Sequence, residues 1–190
     1  RGVDLLDPSD ATDATRLGAR FCHGGFIWQI HDLSRGSPLP LVSGPEYPSP
    51  APTPFNAQGL PESFRHRTRD GTTLTWNPAG THGLAIGAGN VTADAAGNVA
   101  LTEPCRWTIT SAADSLLFHT RHSAAGFACE LTRKIELRDR TVISTSQLTN
   151  VGETPLALEW FAHPFWPLTQ HRARISLPPG TVLPENPGFV

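Results

Sequence analysis

The chain has 190 residues, which is enough for one domain with a substantial hydrophobic core. Its 15 basic and 17 acidic residues give a formal net charge of −2, and this balance gives no reason to expect the strongly basic surface typical of nucleic-acid binding. No apolar run approaches the roughly 20 residues that a membrane span requires. We therefore expect neither a nucleic-acid partner nor a membrane partner.

The cysteine and histidine patterns favour neither disulfides nor a metal site. Cys22, Cys105 and Cys129 are an odd number of cysteines without a close pair, which indicates a reducing compartment and predicts a cytoplasmic location. No Cys-x-x-Cys motif is present to hold zinc. His119 and His122 lie three positions apart on a predicted strand, so they point to opposite faces and do not readily share an ion. We expect no metal and no cofactor.

The first half of the chain is rich in turns. Residues 1–20 are predicted to form the end of a strand and a loop, because turn residues follow Leu5-Leu6. Eight prolines in segment 35–62 exclude a helix or a central strand there. A loop of this length is typically functional or disordered, so it is either an ordered loop near a site or a solvated surface loop. Further turns are predicted at residues 69–72 and 94–98.

The second half predicts a regular meander of strands. Strands are expected at residues 106–110, 116–122, 127–137 and 141–148, and another is expected at residues 174–177. Strand 127–137 alternates apolar and polar residues, broken only by Arg133 on its apolar face. Segment Leu156–Leu168 is apolar on both faces, which predicts a strand buried on both sides that stops near Pro164. This pattern favours an antiparallel all-β sandwich formed by a single domain spanning residues 1–190.

Two histidines are candidates for acid–base chemistry. His163 lies among Phe161, Phe165 and Trp166, and rings of this kind can stack against the C–H faces of a sugar. His82 lies at a predicted junction between a strand and a loop. An imidazole titrates near neutral pH and can therefore both donate and accept a proton. The alternative for His163 is a core histidine that makes one hydrogen bond.

Several motifs appear in the order found in one known superfamily. Together they resemble the galactose mutarotase / aldose 1-epimerase superfamily over roughly residues 80–177. Each motif alone is unspecific, but their order and spacing make the resemblance fairly specific. The motifs are Thr81-His82-Gly83, Trp107-Thr108-Ile109, the strand at 131–137, the Leu-Thr-Asn-x-Gly turn at 148–152, and Trp160-Phe161-Ala162-His163-Pro164-Phe165.

The resemblance implies a fold and a reaction. The fold would be an antiparallel β-supersandwich that binds sugars in an open cleft, present here as an incomplete copy of the domain. The reaction would be aldose 1-epimerase-type interconversion of the anomers of a hexose or hexose phosphate, without a cofactor. His163 would protonate the ring oxygen, and His82 would polarise and hold the sugar. A carboxylate base would remove the proton of the anomeric hydroxyl.

The chain also departs from the pattern of the superfamily. The glutamate base of the superfamily lies well after the second histidine, whereas only Glu185 follows His163 here, so we expect the base beyond the C-terminal end and the chain to be an interior piece of a longer domain. Gln58-Gly59 is an alternative to His82-Gly83 as the His-Gly element. The expected substrate-binding residues are Arg65, Glu62, Gln58, Phe165 and Trp166.

Two further functions remain open from the sequence. A non-catalytic carbohydrate-binding module of the same fold would keep the aromatic cleft but lack the carboxylate base. A purely structural β-domain would instead bury His163 with its hydrogen bonds satisfied. A carboxylate that reaches His163 in space would favour the enzyme over both.

Overall fold

The computed structural model describes residues 2–34, 36–42, 59–68, 70–166 and 178–182. These residues form four antiparallel sheets and one short helix, which confirms the prediction of an antiparallel all-β chain. Within the described ranges, no helix has both the length and the apolar character needed to cross a membrane.

The largest sheet is the predicted meander, with strand order β11-β10-β9-β8. Its strands are β8 (Thr108–Ala112), β9 (Ser115–Ala124), β10 (Phe127–Arg138) and β11 (Thr141–Asn150). Along β10 the buried side chains are every second residue from Cys129 to Ile135, as the alternation predicts. Arg133 belongs to this buried set and is only 1% exposed.

The three smaller sheets also pair antiparallel. One has the order β1-β2-β3, another β5-β6-β7, and the third consists of β12 and β4. Their bounds are β1 Gly2–Leu5, β2 Ile27–Asp32, β3 Leu39–Pro40, β4 Glu62–Arg65, β5 His82–Ala85, β6 Gly89–Ala93, β7 Val99–Pro104 and β12 Glu159–Ala162.

A short helix, α1 (Ala11–Leu17), replaces part of the predicted N-terminal loop. Asp10 caps it, because its carboxylate accepts hydrogen bonds from the backbone N–H groups of Thr12 at 2.7 Å and Asp13 at 3.3 Å. Ala14 and Leu17 lie three positions apart and are both buried. The loop prediction for residues 11–17 was wrong, since the aspartate was interpreted as a turn residue and not as a helix cap.

Strand β12 is shorter and more exposed than predicted. It spans only Glu159–Ala162, pairs with β4, and ends before Pro164 as expected. Trp160 remains 51% exposed and Leu158 remains 52% exposed. The prediction of burial on both faces was therefore wrong, because Glu159 and Phe161 are only half-buried and Trp160 and Ala162 are exposed.

The core includes residues from several sheets. One buried cluster joins Cys22, Phe64 on β4 and Leu84 on β5 to Cys129 and Leu131 on β10. All three cysteines of the chain are buried and free, so the prediction that the chain lacks disulfides is confirmed.

The predicted turns are present where the structure describes them. The Asp94 carboxylate accepts hydrogen bonds from Asn98 within the 94–98 turn. Gly71 donates its backbone N–H to the Thr68 carbonyl in the turn near residues 69–72. Four predictions lie outside the described residues: most of the proline-rich segment (43–58), Gln58 within it, the strand at 174–177, and Glu185.

Candidate functional site

The pairing of β4 with β12 separates two clefts. Phe161 pairs with Ser63, and Trp160 pairs with Phe64. Because side chains alternate along a strand, one face carries Ser63 and Phe161 and the other carries Phe64 and Trp160. A separate cleft opens on each of these faces.

The cleft on the Phe161 face is strongly basic, and we call it the cationic pocket. Its volume is about 570 Å³, which suits a small-molecule ligand. Among the described residues that line it there are three arginines and two histidines but no carboxylate. The lining residues are Ala19, Arg20, Ser63, Arg65, His66, Arg67, Thr68, Val99, Phe161 and His163.

His163 lies in this pocket immediately after β12. Its backbone N–H donates to the Pro61 carbonyl at 2.9 Å, which fixes the chain at the start of β4. Its ring stacks on Phe165 with centroids 4.4 Å apart, and Phe21 and Phe161 approach at 6.0 Å and 5.6 Å. The ring is therefore held by aromatic neighbours while it faces an open cleft.

The electrostatic surroundings of His163 favour its neutral form. Burial lowers its pKa below the ordinary value of 6.5, and the positive charges of Arg20 and Arg65 lower the pKa further. Arg65 also contacts Glu159 through Nη1 and Oε1 at 3.0 Å, and its guanidinium lies 4.9 Å from the Phe161 ring centre. Arg65, expected from the sequence to bind substrate, thus lies in the same pocket as His163.

His66 is a second histidine of the pocket that sequence reasoning missed. Trp76 donates its indole N–H to His66 Nδ1 at 3.2 Å, so the proton of the neutral imidazole lies on Nε2. Burial, with a smaller contribution from the charge of Arg67, lowers the pKa of His66 to about 4. The signal that could have identified it is the run Arg65-His66-Arg67 at the end of a strand.

Glu62 does not line the cationic pocket. Its carboxylate lines the opposite cleft, where it accepts hydrogen bonds from Arg133 and Ser146 at 2.8 Å and from the Trp160 indole at 3.3 Å. This cleft has a volume of about 440 Å³. The structure therefore places Glu62 in a buried polar network. Glu62 and His163 line different clefts.

His82 and Trp166 also lie away from the pocket. His82 begins β5 with its side chain exposed and its Nδ1 2.9 Å from the Thr81 hydroxyl. Trp166 is 54% exposed, and neither residue lines the cationic pocket. Their roles in catalysis and binding remain predictions, as does that of Gln58, which lies outside the described residues.

Gly83, the last residue of the Thr81-His82-Gly83 motif, has a packing role. A Cβ atom at Gly83 would lie 2.7 Å from Cδ2 of Trp76, so the absence of a side chain lets this indole pack against β5. Trp76 in turn contacts His66 and Arg67, with the Arg67 guanidinium 4.2 Å from the indole ring centre. The motif therefore supports one wall of the cationic pocket.

No metal-binding cluster of three or more His, Cys, Asp or Glu residues occurs within the described part of the chain. Comparison with known proteins found no matching family model, no matching curated protein and no matching solved structure. A functional hypothesis for this chain therefore depends on the chemistry of its pocket and on the motif resemblance.

Proposed function

We propose that this chain is a carbohydrate-active protein with a mutarotase-like β-supersandwich fold that interconverts the anomers of a hexose or hexose phosphate. The observation that carries the proposal is the position of His163: it faces an open pocket of about 570 Å³ and is held against the ring of Phe165. An aromatic wall with a few fixed polar groups is the arrangement that sugar binding requires.

The proposed reaction needs one proton donor and one proton acceptor. His163 donates a proton to the ring oxygen while a base removes the proton of the anomeric hydroxyl. The bond between the anomeric carbon and the ring oxygen breaks, and an open-chain aldehyde forms. Rotation about the adjacent carbon–carbon bond exposes either face of the aldehyde, and reversal of the proton transfers closes the ring as either anomer.

A second candidate function is supported by the composition of the pocket. Among the described lining residues there is no carboxylate that could serve as the base. A non-catalytic sugar-binding module of the same fold would need only the aromatic and cationic groups that are present. The two candidates differ in whether anomer exchange accelerates when the sugar binds.

The cellular location belongs to the same proposal. We place the protein in the cytoplasm, and the three free, buried cysteines support a reducing compartment.

Anomer exchange measured by NMR tests the proposal. The purified full-length gene product is added to a panel of free and phosphorylated hexoses, and exchange is compared between wild type, His163→Ala and His119→Ala. His119 is a partly exposed histidine on β9 that pairs with Glu130 at 3.2 Å, and it serves as the matched control.

Exchange above the buffer rate that is lost in His163→Ala but kept in His119→Ala supports the enzyme. A His163→Ala variant with the wild-type rate would contradict the proposed role of this histidine. Sugar binding without accelerated exchange, in a protein shown to be folded by circular dichroism, favours the binding module.

A further inference from the structure

The cationic pocket carries more positive charge than a neutral sugar requires. Hydroxyl groups need only a few fixed donors and acceptors, whereas guanidinium groups pair with phosphate and carboxylate oxygens. We propose that the ligand of this pocket is an anionic carbohydrate, whose phosphate ester or carboxylate group is bound by Arg20 and Arg67. This inference rests on the proposed function and names the substrate class of the same site.

The positive charge is a local property of the pocket. The whole chain has a formal net charge of −2, yet three of its arginines converge on one cleft. The described lining residues include no aspartate or glutamate, and the Arg65 guanidinium pairs with Glu159, which does not line the cleft. A cleft of one sign of charge concentrates ligands of the opposite sign. The sequence-wide charge balance therefore conceals a site that favours anions.

The surroundings of Arg67 support the binding of an anionic group in the cationic pocket most directly. Its guanidinium lies 4.2 Å from the ring centre of Trp76, and its Nε is buried without a hydrogen bond to any described residue. His66 beside it is held neutral, with its pKa lowered to about 4. Within the described chain, Arg67 thus contacts an aromatic ring and no carboxylate, and its remaining N–H groups can bind the oxygens of an anion.

The two ends of the pocket suit different parts of one ligand. His163 is anchored at the start of β4 by its hydrogen bond to Pro61, whereas Arg67 lies beyond the end of β4. Arg65 lies between them and is already paired with Glu159 at 3.0 Å. A sugar ring beside Phe161 and His163 would leave a charged substituent free to extend towards Arg67.

Binding measurements by isothermal titration calorimetry test the inference. The probes are glucose, glucose 6-phosphate, glucuronate and inorganic phosphate, each at low and high salt. We expect at least one of the two anionic sugars to bind about tenfold or more tightly than glucose, which is the factor expected from one charge-assisted hydrogen bond. Added salt should reduce this preference, since it screens exposed charges.

Two variants and one control make the test specific. Arg20→Gln changes an exposed side chain and should leave the fold intact, while Arg67→Gln removes the cation that packs on Trp76. Each should reduce the preference for anionic sugars about tenfold. Arg121→Gln, on an exposed position of β9 outside the pocket, should leave the preference unchanged. Circular dichroism establishes that each variant is folded.

Glucose binding that equals binding of both anionic sugars would overturn the inference, and so would an unchanged preference in a folded Arg20→Gln variant. Inorganic phosphate binding as tightly as glucose 6-phosphate would also overturn it, because the sugar would then contribute nothing. Comparison of the affinities for glucose 6-phosphate and glucuronate identifies which anionic group is preferred.

Failure of the inference can be distinguished from failure of the proposed function. Tight binding of an anionic sugar without accelerated anomer exchange leaves the inference standing and removes the enzyme. Accelerated anomer exchange of neutral hexoses, without preferential binding of anionic sugars, supports the enzyme and overturns the inference.

Discussion

Arg133 and Glu62 form a buried ion pair at 2.8 Å although 71 positions separate them in the chain. The arginine side chain is 1% exposed and the glutamate side chain 10% exposed. Arg133 also donates to the Gly24 carbonyl at 2.8 Å and to the Ser146 hydroxyl at 3.0 Å. The pair therefore ties β4, which carries Arg65, to the large sheet.

Removal of one partner of this pair should destabilise the fold strongly. We expect Arg133→Met or Glu62→Leu alone to lower the free energy of unfolding by about 3–5 kcal/mol, because each leaves an uncompensated buried charge. The double variant should lose less than the sum of the two single losses. Urea unfolding of the wild type, the two single variants and the double variant measures this coupling. Strictly additive losses would show that Arg133 and Glu62 do not stabilise each other.

The stability of the protein should depend on the protonation of His66. Its pKa is about 4 in the fold and 6.5 ordinarily, so the unfolded chain binds more protons at mildly acidic pH. The stabilisation is complete above pH 6.5 and is lost as pH falls from 6.5 towards 4, by up to about 3 kcal/mol.

The variant His66→Gln isolates this contribution. Chemical unfolding at pH 7 and at pH 4 gives the loss of stability for wild type and variant. The loss should be smaller in the variant, since glutamine does not titrate. Equal losses in the two proteins would assign the acid sensitivity to other groups, of which buried His23, whose pKa is also lowered by burial, is one.

The pH dependence of activity should report the charges around His163. If this histidine is the proton donor, kcat/KM falls as pH rises through its pKa, which lies below 6.5. Arg20→Gln removes one of the positive charges that lower this pKa, so the falling limb should move to higher pH. Rate profiles, together with NMR titration of the His163 ring, measure the shift, and an unmoved limb would exclude His163 as the group that titrates.

Gly83→Ala should disturb the wall of the pocket. The added Cβ would lie 2.7 Å from Cδ2 of the buried Trp76, and overpacking of this kind costs about 1–3 kcal/mol. Displacement of Trp76 should also shift the NMR signals of His66, its hydrogen-bond partner. Gly2→Ala is the control, because the nearest atoms to a Cβ there are 3.9 Å away. Equal stability of the two variants would contradict the packing role of Gly83.

Local sequence patterns predicted the meander better than they predicted α1 and β12. The alternation along β10 and the turns around it are properties of consecutive residues. They could therefore be predicted without knowledge of which strands pair. The helix α1 was missed because a cap of one aspartate and a seven-residue length leave little periodic signal. The burial of β12 was overestimated because apolar composition does not show which faces have a neighbour.

The amino-acid sequence by itself determined the all-β class, the free cysteines, and the aromatic surroundings of His163, since Phe161 and Phe165 are its near neighbours along the chain. Only the tertiary structure decided that Arg20 and Arg65 line the same pocket, and that Glu62 lies outside it and pairs with Arg133. Side-chain alternation is a local property, whereas the pairing of distant strands depends on packing over the whole core.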